Sequence, residues 1–156
     1  MDPNEHLVEQ YVRIVKKWFT MTNITFGNNR EIDILAIDVS GNAYQIEVDI
    51  HKGGFQWGPC GSDGYTVEEY KQKKFNKERK DFIRNKFGVK KSKDIWVCWG
   101  IDPKRRQSTL KKAAKAKIEI WEFKDRLKEF LDEIGTKHYS DDITQSLSLV
   151  KAALKM

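Results

Sequence analysis

Hydrophobic and polar residues alternate most regularly between Arg30 and His51. Two runs rich in Ile and Val lie on either side of Ser40, Gly41 and Asn42, a pattern typical of two strands joined by a tight turn. Because successive strand side chains point to opposite faces, the second strand is expected to have one apolar and one acidic face. The apolar face carries Ile46, Val48 and Ile50, and the acidic face carries Glu47, Asp49 and His51.

The rest of the chain alternates between helical spacing and short apolar runs. Asp2 can cap an N-terminal helix, and Glu5 stands three residues after this cap. The helical wheel turns Glu5 toward the sheet and Glu9 toward water. A glycine-rich loop is expected over residues 52–64, beside the acidic strand. The other predicted strands are 21–26, 94–100 and 117–123, and the other predicted helices are 67–87, 125–134 and one that begins at Ser140 with Asp141 and Asp142 in its first turn.

With 156 residues, the chain is expected to form a single domain, residues 1–156, with residues 136–156 as its C-terminal helical extension. No apolar run approaches the roughly 20 residues that a membrane span needs. Cys60 and Cys98 form neither a disulfide framework nor a zinc-ligand spacing, so a reducing, cytoplasmic setting is expected. The last helix has an apolar stripe that either forms a homodimer or packs on its own domain. This stripe consists of Ile143, Leu147, Val150 and Leu154.

Positive charge is concentrated in two segments. Residues 71–93 contain eleven Lys and Arg and two acids, and residues 104–117 contain seven Lys and Arg and no acid, while the whole chain has a net charge of +6. This uneven distribution favours a surface that binds a polyanion over a merely solvated helix. Because no signature of base-specific binding is present, phosphates are the expected contacts. The residues predicted to bind nucleic acid are Lys71, Lys73, Lys74, Lys77, Arg79, Lys104, Arg105, Arg106, Lys111 and Lys112.

Carboxylates stand on neighbouring predicted strands, with Asp33 on one and Glu47 on the other. Alternation alone fits any half-exposed antiparallel strand equally well. Two carboxylates a few ångströms apart, however, repel each other and raise each other's pKa, a cost that a bound divalent cation would remove. Asp33 and Glu47 are therefore candidate metal ligands.

These residues resemble a family. The order Glu5, then Arg30-Glu31-Ile32-Asp33, then Ile46-Glu47-Val48-Asp49 resembles the PD-(D/E)xK nuclease superfamily, which includes restriction endonucleases and archaeal Holliday-junction resolvases. The resemblance implies an α/β fold with a restriction endonuclease-like αβββαβ core, a central mixed sheet flanked by helices, and an extra C-terminal strand and helices. It also implies that Asp33 and Glu47 bind Mg²⁺ or Mn²⁺ and that Glu5, or less favourably Glu9, is the helix acid.

The chain departs from the family pattern at Asp49, which stands where the family has a lysine. Three alternatives remain open: another lysine reaches the site, a second metal replaces it, or the chain no longer cleaves its substrate. The candidate catalytic residues are Glu5, Asp33, Glu47, Asp49 and Lys52, and the other candidate lysines are Lys71, Lys73 and Lys74.

Three functions follow as expectations. The first is a Mg²⁺-dependent deoxyribonuclease, an endonuclease that cleaves phosphodiester bonds of double-stranded or branched DNA by structure rather than by sequence. The second is a catalytically inactive nucleic-acid-binding module on the same fold. The third is a protein-interaction domain built on the C-terminal helix.

Overall fold

The computed structural model describes residues 1–50, 66–135 and 137–155. Its helices are α1 (Pro3–Tyr11, continued by a π-helical segment, Val12–Lys16), α2 (Val67–Lys74), α3 (Lys77–Phe87), α4 (Arg106–Ala116), α5 (Phe123–Glu133) and α6 (Asp142–Leu154). Its strands are β1 (Phe19–Phe26), β2 (Arg30–Ile37), β3 (Ala43–Asp49), β4 (Ser92–Cys98) and β5 (Ile118–Glu122). None of these helices has the length and apolar character of a membrane-spanning segment.

The five strands form one mixed sheet in the order β1-β2-β3-β4-β5. β1, β2 and β3 are antiparallel neighbours, whereas β4 runs parallel to both β3 and β5. α1 and α5 pack on one face against Ile34, Ile46 and Ile95. α2, α3 and α4 cover the other face, where Tyr70 stacks on Trp96. The predicted α/β fold with a mixed sheet flanked by helices is confirmed, and the element order is compatible with an αβββαβ core followed by a further strand and helices.

The prediction of one helix over residues 67–87 is wrong, because the segment forms two helices. α2 ends at Lys74, and Phe75 leaves the helical region with φ −121° and ψ 33°. Asn76 then caps α3, because its side chain accepts a hydrogen bond from the Arg79 backbone N–H at 3.0 Å. The break places the end of α2 and the first turn of α3 over the same part of the sheet.

Two further features differ from the sequence prediction. No element was predicted for the second basic segment, which forms α4 because Lys, Arg and Ala favour helices. Glu9 was expected to point toward water, yet it is only 8% exposed. Its carboxylate accepts a hydrogen bond from Thr20 Oγ1 at 3.0 Å and lies 3.5 Å from His6 Nδ1, because the start of β1 passes beside α1.

The C-terminal helix α6 packs against α1 and α5. Its predicted apolar stripe is divided in the structure: Leu147 packs against the core, whereas Val150 and Leu154 are 52% and 81% exposed. The homodimer therefore stays a prediction, and packing on the domain accounts for Leu147.

Asp141 connects the start of α6 to α1. Its Oδ1 accepts hydrogen bonds from the Thr144 backbone N–H at 2.8 Å and from Thr144 Oγ1 at 2.9 Å, and its Oδ2 contacts His6 Nε2. Burial opposes the ionisation of Asp141, but these interactions outweigh burial and lower its pKa. Because the folded pKa is lowered, the stabilisation is present above the unfolded pKa and is lost as the pH falls through the folded pKa.

Replacing Asp141 with alanine is expected to lower the free energy of unfolding by about 1 kcal/mol at neutral pH, the usual cost of losing an N-cap. The difference from wild type should shrink below about pH 4, where the unfolded carboxyl also binds a proton. Urea unfolding at several pH values measures it. Ser140→Ala is the control, since the structure begins α6 at Asp142 with Asp141 as its cap; an equal loss in both variants would contradict the assignment.

Candidate active site

The sheet opens at Asp33. β2 and β3 are paired from Ile37 opposite Ala43 to Ile34 opposite Ile46. Beyond Ile34 and Ile46 the pairing stops, although both strands continue. In place of a backbone partner, the Val48 N–H donates to Asp33 Oδ2 at 2.7 Å. The Asp33 carboxylate is thereby held between the diverging strands, and its Oδ1 is left for another partner.

The strand next to this opening carries Glu47, which is fully buried. Its Oε1 accepts hydrogen bonds from Gln45 Nε2 at 2.8 Å and from Arg79 Nη1 at 3.1 Å. Its Oε2 lies 3.0 Å from Lys74 Nζ, but no donor in the described residues forms a hydrogen bond with it. One oxygen of Glu47 is therefore fixed, and the other faces the Lys74 ammonium.

Lys74, the last residue of α2, lies between the two carboxylates. Its Nζ is 3.0 Å from Glu47 Oε2 and 3.9 Å from Asp33 Oδ1, and its side chain is 25% exposed. Among the candidate lysines that the structure describes, which are Lys71, Lys73 and Lys74, Lys74 is the one placed at both carboxylates. Asp33 and Glu47 thus share the same arrangement, with one oxygen held by the protein and one directed toward Lys74.

Burial dominates the ionisation of these acids. It raises the pKa of Glu47 to about 7, with a further contribution from Asp33 and an opposing one from Lys74 and Arg79. Burial also raises the pKa of Asp33, while Lys74 and the Val48 N–H act in the opposite direction. The pKa of Lys74 is raised: burial opposes its charge, but Glu47 and Asp33 outweigh burial. The cluster therefore holds its negative charge at a cost that bound cations reduce.

The other candidate catalytic residues are placed less closely. Glu5 forms the capping box of α1 with Asp2, and its pKa is raised by burial and then by the charge of Asp33, so it lies within electrostatic range of the site. Asp49 ends β3 and is half-buried. Lys52 and the predicted loop lie outside the described residues. Buried Glu9 bonds to Thr20, which leaves Glu5 as the better helix acid.

The predicted nucleic-acid-binding residues divide into two groups. Arg79 was predicted to contact phosphate from the surface, but its side chain is 6% exposed and also donates to the Glu31 carbonyl at 2.5 Å. Lys71 donates to the Ala116 carbonyl and joins α2 to α4, and Arg106 pairs with Glu122. The surface prediction is therefore wrong for Arg79, because the break after α2 turns it inward. The second group is exposed and consists of Lys73, Lys77, Lys104, Arg105, Lys111 and Lys112; Arg106 is exposed as well as paired.

The carboxylate oxygens of Asp33 and Glu47 are the atoms that could bind a divalent cation. Asp33 and Glu47 supply the hard carboxylate ligands that Mg²⁺ and Mn²⁺ prefer, and the buried Glu47 Oε2 has the Lys74 ammonium, 3.0 Å away, as its charge partner. Within residues 1–50, 66–135 and 137–155, no three His, Cys, Asp or Glu side chains are grouped closely enough to hold a metal. The pair fits a cation bound by two protein ligands with water completing its shell, an arrangement common for Mg²⁺.

The sequence did not predict that Gln45 or Arg79 belongs to the carboxylate cluster of Asp33 and Glu47. Gln45 Nε2 donates both to Glu47 Oε1 and, at 2.7 Å, to the Lys74 carbonyl, so it connects the acid on β3 to the end of α2. The polar residue at position 45, in line with Glu47 and Asp49, was one available signal. Asn76 was the other, because a cap at this residue predicts that Arg79 lies in the first turn of a new helix.

Comparison with known proteins identifies no relative of this chain. The chain matches no family model, no curated protein and no solved structure. Function is therefore argued from the geometry of the site.

Proposed function

We propose that the chain is a metal-dependent DNA nuclease of the PD-(D/E)xK type in which Lys74 supplies the lysine that position 49 lacks. The observation that carries this proposal is the convergence of Lys74 Nζ on Asp33 Oδ1 and Glu47 Oε2, at 3.9 and 3.0 Å. A bound Mg²⁺ or Mn²⁺ would stabilise charge on the phosphate and lower the pKa of an attacking water.

The protein groups have separate tasks in this proposal. The Val48 N–H fixes one oxygen of Asp33, and Gln45 and Arg79 fix one oxygen of Glu47, so the remaining oxygens are oriented toward the ligand site. Lys74, on a different element, contributes a positive charge at the position where a phosphate oxygen or a water would be oriented. Exposed basic residues on α2, α3 and α4 flank the same face of the sheet and would bind the DNA backbone.

The decisive test is incubation of the protein with plasmid, linear, branched and single-stranded DNA, with Mn²⁺ or with EDTA. Cleavage of at least one substrate only when metal is present is the expected result. Calorimetric titration of Mn²⁺ accompanies it, and Asp33→Asn is expected to weaken metal binding by at least about 10-fold. Glu31→Gln, an exposed acid on the same strand, is the control. Cleavage in EDTA, or equal and negligible heats for wild type and Asp33→Asn, would contradict the proposal.

A second candidate function is favoured by the charge balance of the site. Lys74 and Arg79 can neutralise Asp33 and Glu47 without any metal. Such a chain would be a nucleic-acid-binding module that keeps the fold and does not cleave. Binding of DNA without cleavage under every metal condition would support this second candidate.

A further inference from the structure

The end of the sheet opposite the carboxylates has a concave surface lined by lysines. A cavity of about 550 Å³ lies between the β2–β3 turn and the connection from α3 to β4. Its lining includes Lys90, Lys91 and Lys93. A second cavity, of about 230 Å³, shares Lys90 and Lys91 and adds Lys80 and Arg84.

The charge around these cavities is unbalanced. None of the described residues that line either cavity is Asp or Glu. Lys80 is paired with Asp94, and Arg84 with Asp81, whereas Lys90, Lys91 and Lys93 are exposed. The three exposed lysines therefore create a positive potential over the larger cavity.

The turn beside the larger cavity carries one acid, Asp38, which offsets only part of the charge of the three lysines. Asp38 accepts hydrogen bonds from the backbone N–H groups of Ser40 and Asn42, from Asn42 Nδ2 and from Tyr44 Oη, at 2.8–2.9 Å. These neutral donors, the Asn42 side chain first, hold the carboxylate in the turn and lower its pKa, so Asp38 stays a single negative charge beside three lysines. The acid organises the turn and leaves the lysines to face solvent.

The backbone beside the lysines is accessible. Gly41 and Gly88 line the larger cavity with φ of 83° and 67°, and an added Cβ at either position would meet no atom within 4 Å. Positive φ favours glycine at both turns, and the missing side chains leave room above the chain. The space above the backbone at both turns is therefore open beside the lysines.

We infer that this cavity binds backbone phosphates of a nucleic-acid strand through Lys90, Lys91 and Lys93, at a surface separate from the carboxylates. Ala43, which lines the cavity, and Glu47 are four residues apart on β3, or ~13 Å along the strand. The inference deepens the proposed function by naming where DNA is held away from the cleavage site. Each strand of a duplex carries one negative charge per about 3.4 Å of the helix axis, so DNA offers closely spaced phosphates to the three lysines.

The test is fluorescence anisotropy with a labelled DNA duplex in EDTA, so that binding is measured without cleavage. The triple variant K90Q/K91Q/K93Q is expected to bind at least about 10-fold more weakly, with a shallower salt dependence, since each phosphate contact contributes about 0.9 to the logarithmic slope. The matched control is K128Q/K137Q/K155Q, which removes three exposed lysines from other parts of the chain. This control is expected to change the affinity by less than about 3-fold.

Competition separates backbone phosphate from free phosphate. Inorganic phosphate at matched ionic strength should displace the duplex no better than chloride does; stronger displacement would show a site for free phosphate and overturn the inference. Equal losses in the two triple variants, or no binding of the duplex by wild type, would also overturn it. Cleavage by wild type with unchanged binding by K90Q/K91Q/K93Q would overturn this inference alone and leave the proposed nuclease activity standing.

Discussion

Replacing Lys74 with methionine is expected to reduce metal-dependent DNA cleavage by about 10²- to 10³-fold, the usual cost of removing one group that stabilises transition-state charge. Methionine keeps an unbranched side chain of similar length and removes the positive charge at 3.0 Å from Glu47 Oε2. Single-turnover cleavage at saturating Mn²⁺ measures the rate. Calorimetric Mn²⁺ binding should be retained or strengthened, because the variant removes a cation that competes for the same carboxylate oxygens.

Two further variants, Lys73→Met and Lys52→Met, test whether another candidate lysine performs the role proposed for Lys74. Lys73 precedes Lys74 on α2 and is exposed, and with all of the DNA bound its replacement should change the cleavage rate by less than about 3-fold, because any effect on binding is then removed. Lys52 follows the acidic strand in the sequence. Wild-type rates for Lys74→Met together with a large loss for Lys52→Met would transfer the role to Lys52. If Lys74 were merely structural, Lys74→Met would lower the free energy of unfolding, and the variant would not combine slow cleavage with retained Mn²⁺ binding.

Local sequence was sufficient for the elements that carry the acids. The alternation around Asp33 and Glu47 and the turn residues between them predict the β2–β3 hairpin correctly, because strand register depends on neighbouring residues and turn chemistry. The same pattern could not predict that the acidic face is covered. Glu47 is fully buried because α2 and α3 pack over this face, and that packing depends on residues distant in sequence.

Local sequence also could not predict which positive residues the fold buries. Charge clustering correctly identified residues 71–93 as unusual, but it gave every lysine and arginine there the same surface role. The Asn76 cap turns the chain between Lys74 and Arg79, so both reach Glu47, whereas Lys90, Lys91 and Lys93 stay exposed. A net charge records how many cations a segment has and not which of them are used inside the fold.

Replacing Arg79 with methionine is expected to lower the free energy of unfolding by about 3–5 kcal/mol, because it removes one partner from a buried ion pair. The guanidinium donates to Glu47 Oε1 at 3.1 Å and to the Glu31 carbonyl at 2.5 Å, and it lies over the Phe26 ring. Urea unfolding measures the loss. Arg30→Met is the matched control: it breaks the exposed pair of Arg30 with Glu78 and should cost far less, because solvent screens an exposed ion pair.

The pH dependence distinguishes the charge of Arg79 from its packing. Burial raises the pKa of Glu47 to about 7 while Arg79 opposes this rise, so the variant should have a still higher Glu47 pKa. A carboxyl whose folded pKa is raised contributes stability below its unfolded pKa that is lost as the pH rises through the folded pKa. The loss caused by Arg79→Met should therefore be greater at pH 8.5 than at pH 6. Adding Glu47→Gln to Arg79→Met should remove most of this pH dependence, because the carboxyl that contacts Arg79 Nη1 is then absent and only the weaker effect of Arg79 on Asp33 is left. A loss that is equal at both pH values would show that Arg79 acts through its packing and hydrogen bonds, and would contradict its role in holding the charge of Glu47.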